Sequence, residues 1–138
     1  MAKITLNTDS WPVSLMTVEG LADEELLQEY KKLSISLVKR KQKYVNIIDI
    51  RELTFIPDDI RVGFALHSRD DAHLFKQHYI GTIAVLGSRY MHTIVTAISW
   101  LHPFIEKVAY SAILEHAEDI ARKWLKEENI EWKGLSKK

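Results

Sequence analysis

The sequence contains no cysteine. Disulfides, thiolate metal sites and cysteine nucleophiles are thereby excluded, and a reducing compartment is permitted. An excess of either charge is also missing, since nineteen basic residues balance nineteen acidic ones. The basic surplus expected of a nucleic-acid binder is therefore absent, although a balanced total can hide a local patch. Long uncharged runs are missing too. The longest, Tyr90 to Ile105, holds sixteen residues with His92 and His102 inside, short of the about 20 mostly apolar residues that a bilayer span requires. The N-terminal MAKITLNTDSW has no apolar core of signal-peptide length. These absences predict a soluble, cytoplasmic protein with no nucleic-acid partner and no stable membrane insertion.

The 138 residues, 46% hydrophobic and 28% charged, fit one ordinary globular domain. Ile4-Thr5-Leu6 and Val13 to Val18 are short β-branched segments separated by turn residues, which reads as a hairpin. Leu26, Leu27, Tyr30, Leu33, Leu37 and Val38 recur at three and four and mark a helix over about residues 23–41, with Asp23 as N-cap. Tyr44 to Ile50 is a near-continuous apolar run, expected as a strand buried on both faces and ending near Asp49. Residues 58 to 78 read as helical, in one piece or two. Ile80 to Leu86 is a second buried strand, Arg89 to His102 a helix stopped by Pro103, and Val108 to Ala112 a last short strand. Ala117, Ile120, Ala121, Trp124 and Leu125 form the stripe of a final helix that Glu115-His116 precedes. The resulting ββαβαβαβα order implies one α/β domain over residues 1–138, with helices packed on a mixed, mostly parallel sheet. A short polar tail, 128–138, follows. Within it, Ile130 and Trp132 are expected to pack back on the domain, with order fading after Gly134.

Element order, the segment IIDIRELTFIPDD and the closing HAEDIARKWL together resemble the STAS domain family, and particularly its SpoIIAA-like, anti-sigma-factor-antagonist branch, over roughly residues 4–127. In that family's signalling members a strand ending in Asp leads through an apolar loop to an Asp-Ser pair at the start of a crossover helix, and phosphorylation of the serine controls partner binding. By this resemblance Asp49 matches the strand-end acid and Thr54-Phe55-Ile56 the loop. Pro57 falls at the Asp and Asp58 at the serine. The resemblance therefore implies a regulatory module that binds protein partners, needs no cofactor, and lacks the phosphorylatable hydroxyl.

Three readings remain open for Asp58 and Asp59: helix capping, permanent imitation of a phosphoserine, or another partner contact. Acids at a helix N-terminus are ordinary capping chemistry. A phosphate carries about −1.5 to −2 charges against one for Asp, so imitation would be partial.

Other groupings carry less. Gly87-Ser88-Arg89 follows a strand and opens a helix, where an anion or ligand can sit; capping by Ser88 is the plainer role. His67, Asp71, His73 and His78 do not make a metal site. His67 and His78, eleven residues apart on one straight helix, stand about 16 Å apart, whereas ligands lie about 2 Å from their ion. No nucleophile elbow or other catalytic signature frames the serines and histidines. On the helix from Arg89 to His102, Tyr90, Ala97 and Trp100 widen the apolar arc to about 220°, against roughly 100° for a surface helix. These three residues are expected to line a homodimer contact or an apolar pocket. Two alternatives to the protein-binding module follow: a carrier of a small apolar or lipid-like ligand, and a small enzyme using the strand-end crevice.

Overall fold

The computed structural model describes residues 2–70, 73, 76–87 and 107–135. Five strands lie in one sheet in the order in which the chain makes them: β1 (Lys3–Asn7), β2 (Val13–Leu21), β3 (Tyr44–Phe55), β4 (Tyr79–Val85) and β5 (Val108–Ser111). The β1–β2 hairpin is antiparallel and every later pairing is parallel. Helix α1 (Glu24–Val38) connects β2 to β3, and α2 (Asp58–Asp70) lies between β3 and β4. A third helix, α3 (Leu114–Glu127), follows β5. The expected helix over Arg89 to His102 lies outside the described residues, as do Ser88, Arg89, Tyr90, Ala97 and Trp100.

Alternation along the strands sorts the side chains between two layers. On one face, Val18, Ile50 and Ala84 pack with Leu26 and Leu27 of α1 and Ile60 of α2. On the other, Val13, Val45, Ile47, Ile83 and Val85 meet Ala117, Ala121 and Leu125 of α3. These last three are fully buried and spaced one turn apart, and the two alanines let the helix lie close to the sheet. The double burial expected of the central strand is what β3 shows. Its buried Asn46 is satisfied by a neighbour in register, the Ser14 hydroxyl donating to Asn46 Oδ1 at 2.9 Å.

Local chemistry explains the element ends. The Asp23 carboxylate accepts from the Leu26 amide at 2.8 Å and caps α1. Gly63 on α2 faces α1 so closely that a β-carbon there would stand 2.4 Å from Leu27 Cδ2. At the C-terminal end, Ile130 and Trp132 fold back onto the α3 layer, Trp132 Nε1 donating to the Ser10 carbonyl at 2.7 Å. Leu135, just past Gly134, packs there as well.

Two strand boundaries differ from the sequence reading. β3 does not end near Asp49 but runs to Phe55, so Thr54 and Phe55 are strand and not loop. β2 likewise continues past Val18 to Leu21, aided by Gly20 at φ 85° and by two register shifts. The final helix begins at Leu114, placing Glu115 and His116 inside its first turn, not ahead of it.

Candidate functional site

The strand ends form a step. Pairing of β3 with β4 stops at Asp49, opposite Val85, and Val85 is level with Ser111 on β5. Beyond that point, among the described residues, β2 is the strand that still pairs with β3, through Glu19–Glu52, Gly20–Leu53 and Leu21–Phe55. The central ribbon thus overhangs its neighbours and delivers Phe55 three residues ahead of Asp58, the first residue of α2.

At the foot of the overhang, Arg51 holds Asp49. Arg51 Nε donates to Oδ1 at 2.9 Å and Nη2 to Oδ2 at 2.7 Å, and the Arg51 amide also donates to Oδ1 at 3.1 Å. Burial alone would raise the Asp49 carboxyl, but the hydrogen bonds and charge of Arg51 outweigh it and hold the group below the ordinary aspartate range. Arg51 is raised in return, chiefly by its bond to Asp49, with Glu115 and Glu52 adding smaller attractions. Gly87 crosses directly against this residue, and a β-carbon on it would stand 2.9 Å from the Arg51 carbonyl oxygen. Gly87 is therefore needed for backbone contact.

At the start of α2, the Arg61 amide donates to the Pro57 carbonyl at 2.9 Å. Pro57 thus occupies the cap position, and Asp58 and Asp59 stand in the first turn. This corrects the expectation that one of the two acids is the capping residue. Their charge favours the helix dipole instead, and Asp58 also forms an ion pair with Arg61. Both acids are exposed, as is Thr54.

Ser111 and His116 are the nearest approach to a catalytic pair, with Oγ and Nδ1 3.3 Å apart. The Ser111 hydroxyl, however, also donates to the Ile113 carbonyl at 2.7 Å and accepts from the Ile113 amide at 3.3 Å. It fastens the turn into α3, whose cap residue Ile113 has no side-chain cap bond. With Asp49 occupied by Arg51, no acid among the described residues orients His116 toward Ser111 in the manner a nucleophile requires. Among the described residues no three His, Cys, Asp or Glu side chains group as metal ligands, and no helix is long and apolar enough to cross a membrane.

The structure therefore gathers Asp49, Thr54, Asp58, Asp59 and Gly87 at one end of the sheet. It adds Arg51 and Leu21, which sequence reasoning missed, and Phe55, which that reasoning placed only in the loop. Arg51 had a signal, because residues two apart on a strand share a face. The Leu21–Phe55 pairing had none, since it depends on a long-range register.

No protein-family model matches the chain, and no curated protein matches it. Solved structures do. An uncharacterised protein of the DUF3478 family from Shewanella loihica PV-4, described as SpoIIAA-like in fold, superposes with a TM-score of 0.64 at 12% identity, covering 87% of this chain and 93% of the other. The anti-sigma factor antagonist SpoIIAA in its unphosphorylated form gives 0.61 at 16%, over 87% and 98%. An anti-sigma factor antagonist from Mycobacterium paratuberculosis gives 0.53 at 15%, over 88% and 95%. The chain has the SpoIIAA-like fold: an α/β domain with a five-stranded, mostly parallel sheet.

Proposed function

We propose that this chain is a non-enzymatic, cytoplasmic regulatory module that works by binding a protein partner at the end of the sheet where β3 runs into α2. The observation that carries the reading is the placement of Asp49 and Thr54 on the last part of β3 and of Asp58 and Asp59 in the first turn of α2, in a fold shared with two anti-sigma factor antagonists. In this reading binding is constitutive, because Asp58 occupies the position that the family resemblance gives to the phosphorylated serine. The arrangement of Ser111 and Asp49 in structural bonds supports a role without catalysis. The alternatives, an apolar-ligand carrier or a homodimer, rest on Tyr90, Ala97 and Trp100, which lie outside the described residues.

The test is a photo-cross-linking residue at Thr54, expressed in the native cell and read by mass spectrometry against the same residue at Lys133. A protein captured from Thr54 and not from Lys133 is the expected result. Equal capture from both positions, or none from Thr54, refutes the reading.

A further inference from the structure

We infer that the partner surface accepted at this end is an apolar stripe ringed by lysine or arginine, so that association selects basic partners and weakens with salt. The inference rests on the protein-contact reading above and specifies the chemistry of the partner.

Two separate features lead to it. The first is apolar. Five large hydrophobic residues are exposed among those described, and four of them lie on the β2–β3 ribbon tip and on the helix that this ribbon leads into: Leu21 at 45%, Phe55 at 42%, Val62 at 48% and Leu66 at 41%. Leu21 and Phe55 are partners in register at the tip of the β2–β3 ribbon. Val62 and Leu66 stand one turn apart on α2, away from Ile60, Gly63 and Phe64, which face the core and α1. Single exposed apolar residues are ordinary, whereas a gathered set marks a contact surface. Spread over two strand ends and two turns of helix, this set matches a protein surface and not a single ion or small anion.

The second feature is charge. Glu19, Glu24, Glu25, Glu52, Asp58 and Asp59 flank the apolar set, and all are exposed. Glu19 and Glu52 are neighbours in register, a like-charge placement that costs stability. Among the described residues the cations nearby are mostly occupied, Arg51 by Asp49 and Arg61 by Asp58, while Lys3 stands across from Glu19 on β1. Lys39, Arg40, Lys41 and Lys43 collect beyond the other end of α1. Among the described residues, the end of the sheet that carries Leu21 and Phe55 is thus acidic, although the sequence as a whole has zero net charge. A partner with cations around an apolar stripe relieves the Glu19–Glu52 repulsion and covers Phe55 together.

The probes are two short helical peptides with one leucine stripe, flanked by lysine in one and by glutamate in the other, measured by fluorescence anisotropy against the full chain. At about 50 mM salt the lysine-flanked peptide should bind at least about tenfold tighter, and this preference should shrink several-fold at about 500 mM. Phe55→Ser should weaken its binding about fivefold or more. Glu52→Gln should flatten the salt dependence while leaving thermal stability equal or higher, and Glu131→Gln should change nothing. Equal binding of the two peptides, binding of neither, or indifference to Phe55→Ser overturns the inference. A Thr54 cross-link combined with charge-blind peptide binding overturns the inference alone. Charge-selective peptides without any Thr54 cross-link overturn the protein-contact reading, and the inference with it.

Discussion

Arg51 grips Asp49 from two positions further along the same strand, through two side-chain hydrogen bonds of 2.9 and 2.7 Å. The pair sits where β3 loses β4 as a neighbour, so it ties down the base of the overhanging ribbon. Because Arg51 is itself exposed, solvent screening limits the gain, and Asp49→Asn should cost only about 1 kcal/mol. The folded carboxyl lies below its unfolded value. Its contribution is therefore complete above the unfolded value near about 3.9 and is lost as pH falls through the lower folded one. Urea melts of the wild type and of Asp49→Asn should differ at pH 7 and converge in the acid range. A difference that persists undiminished at low pH contradicts the assignment.

The α2 N-terminus should carry no phosphate. Between Thr54 and Gly63 the only hydroxyl is that of Thr54, which lies on β3 and not in the helix. Intact-mass and peptide spectra of protein from native cells should show this segment unmodified. A phosphoryl group within it would restore the switch that Asp58 appears in place of by family resemblance.

The order of the described elements and the buried stripe of the last helix were legible because their signals are local. Ala117, Ala121 and Leu125 repeat at the helical period, and Asp23 precedes its helix as a cap should. The end of β3 was illegible because alternation breaks there. Arg51 and Glu52 are both exposed, and the β2 partner slips register twice in the same stretch. The sequence pattern therefore reads as a loop, although pairing with β2 keeps it a strand. The capping role went to Pro57 for a related reason: a proline sets the turn by its backbone, leaving the following acids inside the helix.

Gly63→Ala sets two effects of opposite sign against each other. Replacing a mid-helix glycine gains about 1 kcal/mol of helix propensity. The new methyl, however, would meet Leu27 Cδ2 at 2.4 Å, and Leu27 is buried, so overpacking costs about 1–3 kcal/mol. Net destabilisation is expected in chemical denaturation. A stabilised variant would mean that α1 and α2 separate easily.

Trp132→Ala should destabilise the fold by about 2 kcal/mol, less than a fully buried tryptophan because the ring is only partly covered. It removes the bond to Ser10 and the stacking of Arg122 over the ring. In the wild type, the Ile130 amide, bonded to the Leu125 carbonyl at 2.9 Å, should exchange slowly with solvent. Fast exchange there, with no loss of stability in the variant, would show that this segment does not support the domain.

Because the strands stand side by side in the order of synthesis, each one leaving the ribosome finds its neighbour already made. The sheet can grow strand by strand, although each parallel pairing must wait for its crossover to close. The exception is the layer covered last. Val13, Val45, Ile47, Ile83 and Val85 are buried beneath α3, so a nascent chain halted before Leu114 presents them as an uncovered apolar half-sheet. Such an intermediate would stay open to chaperones and proteases until Ala117, Ala121 and Leu125 cover it.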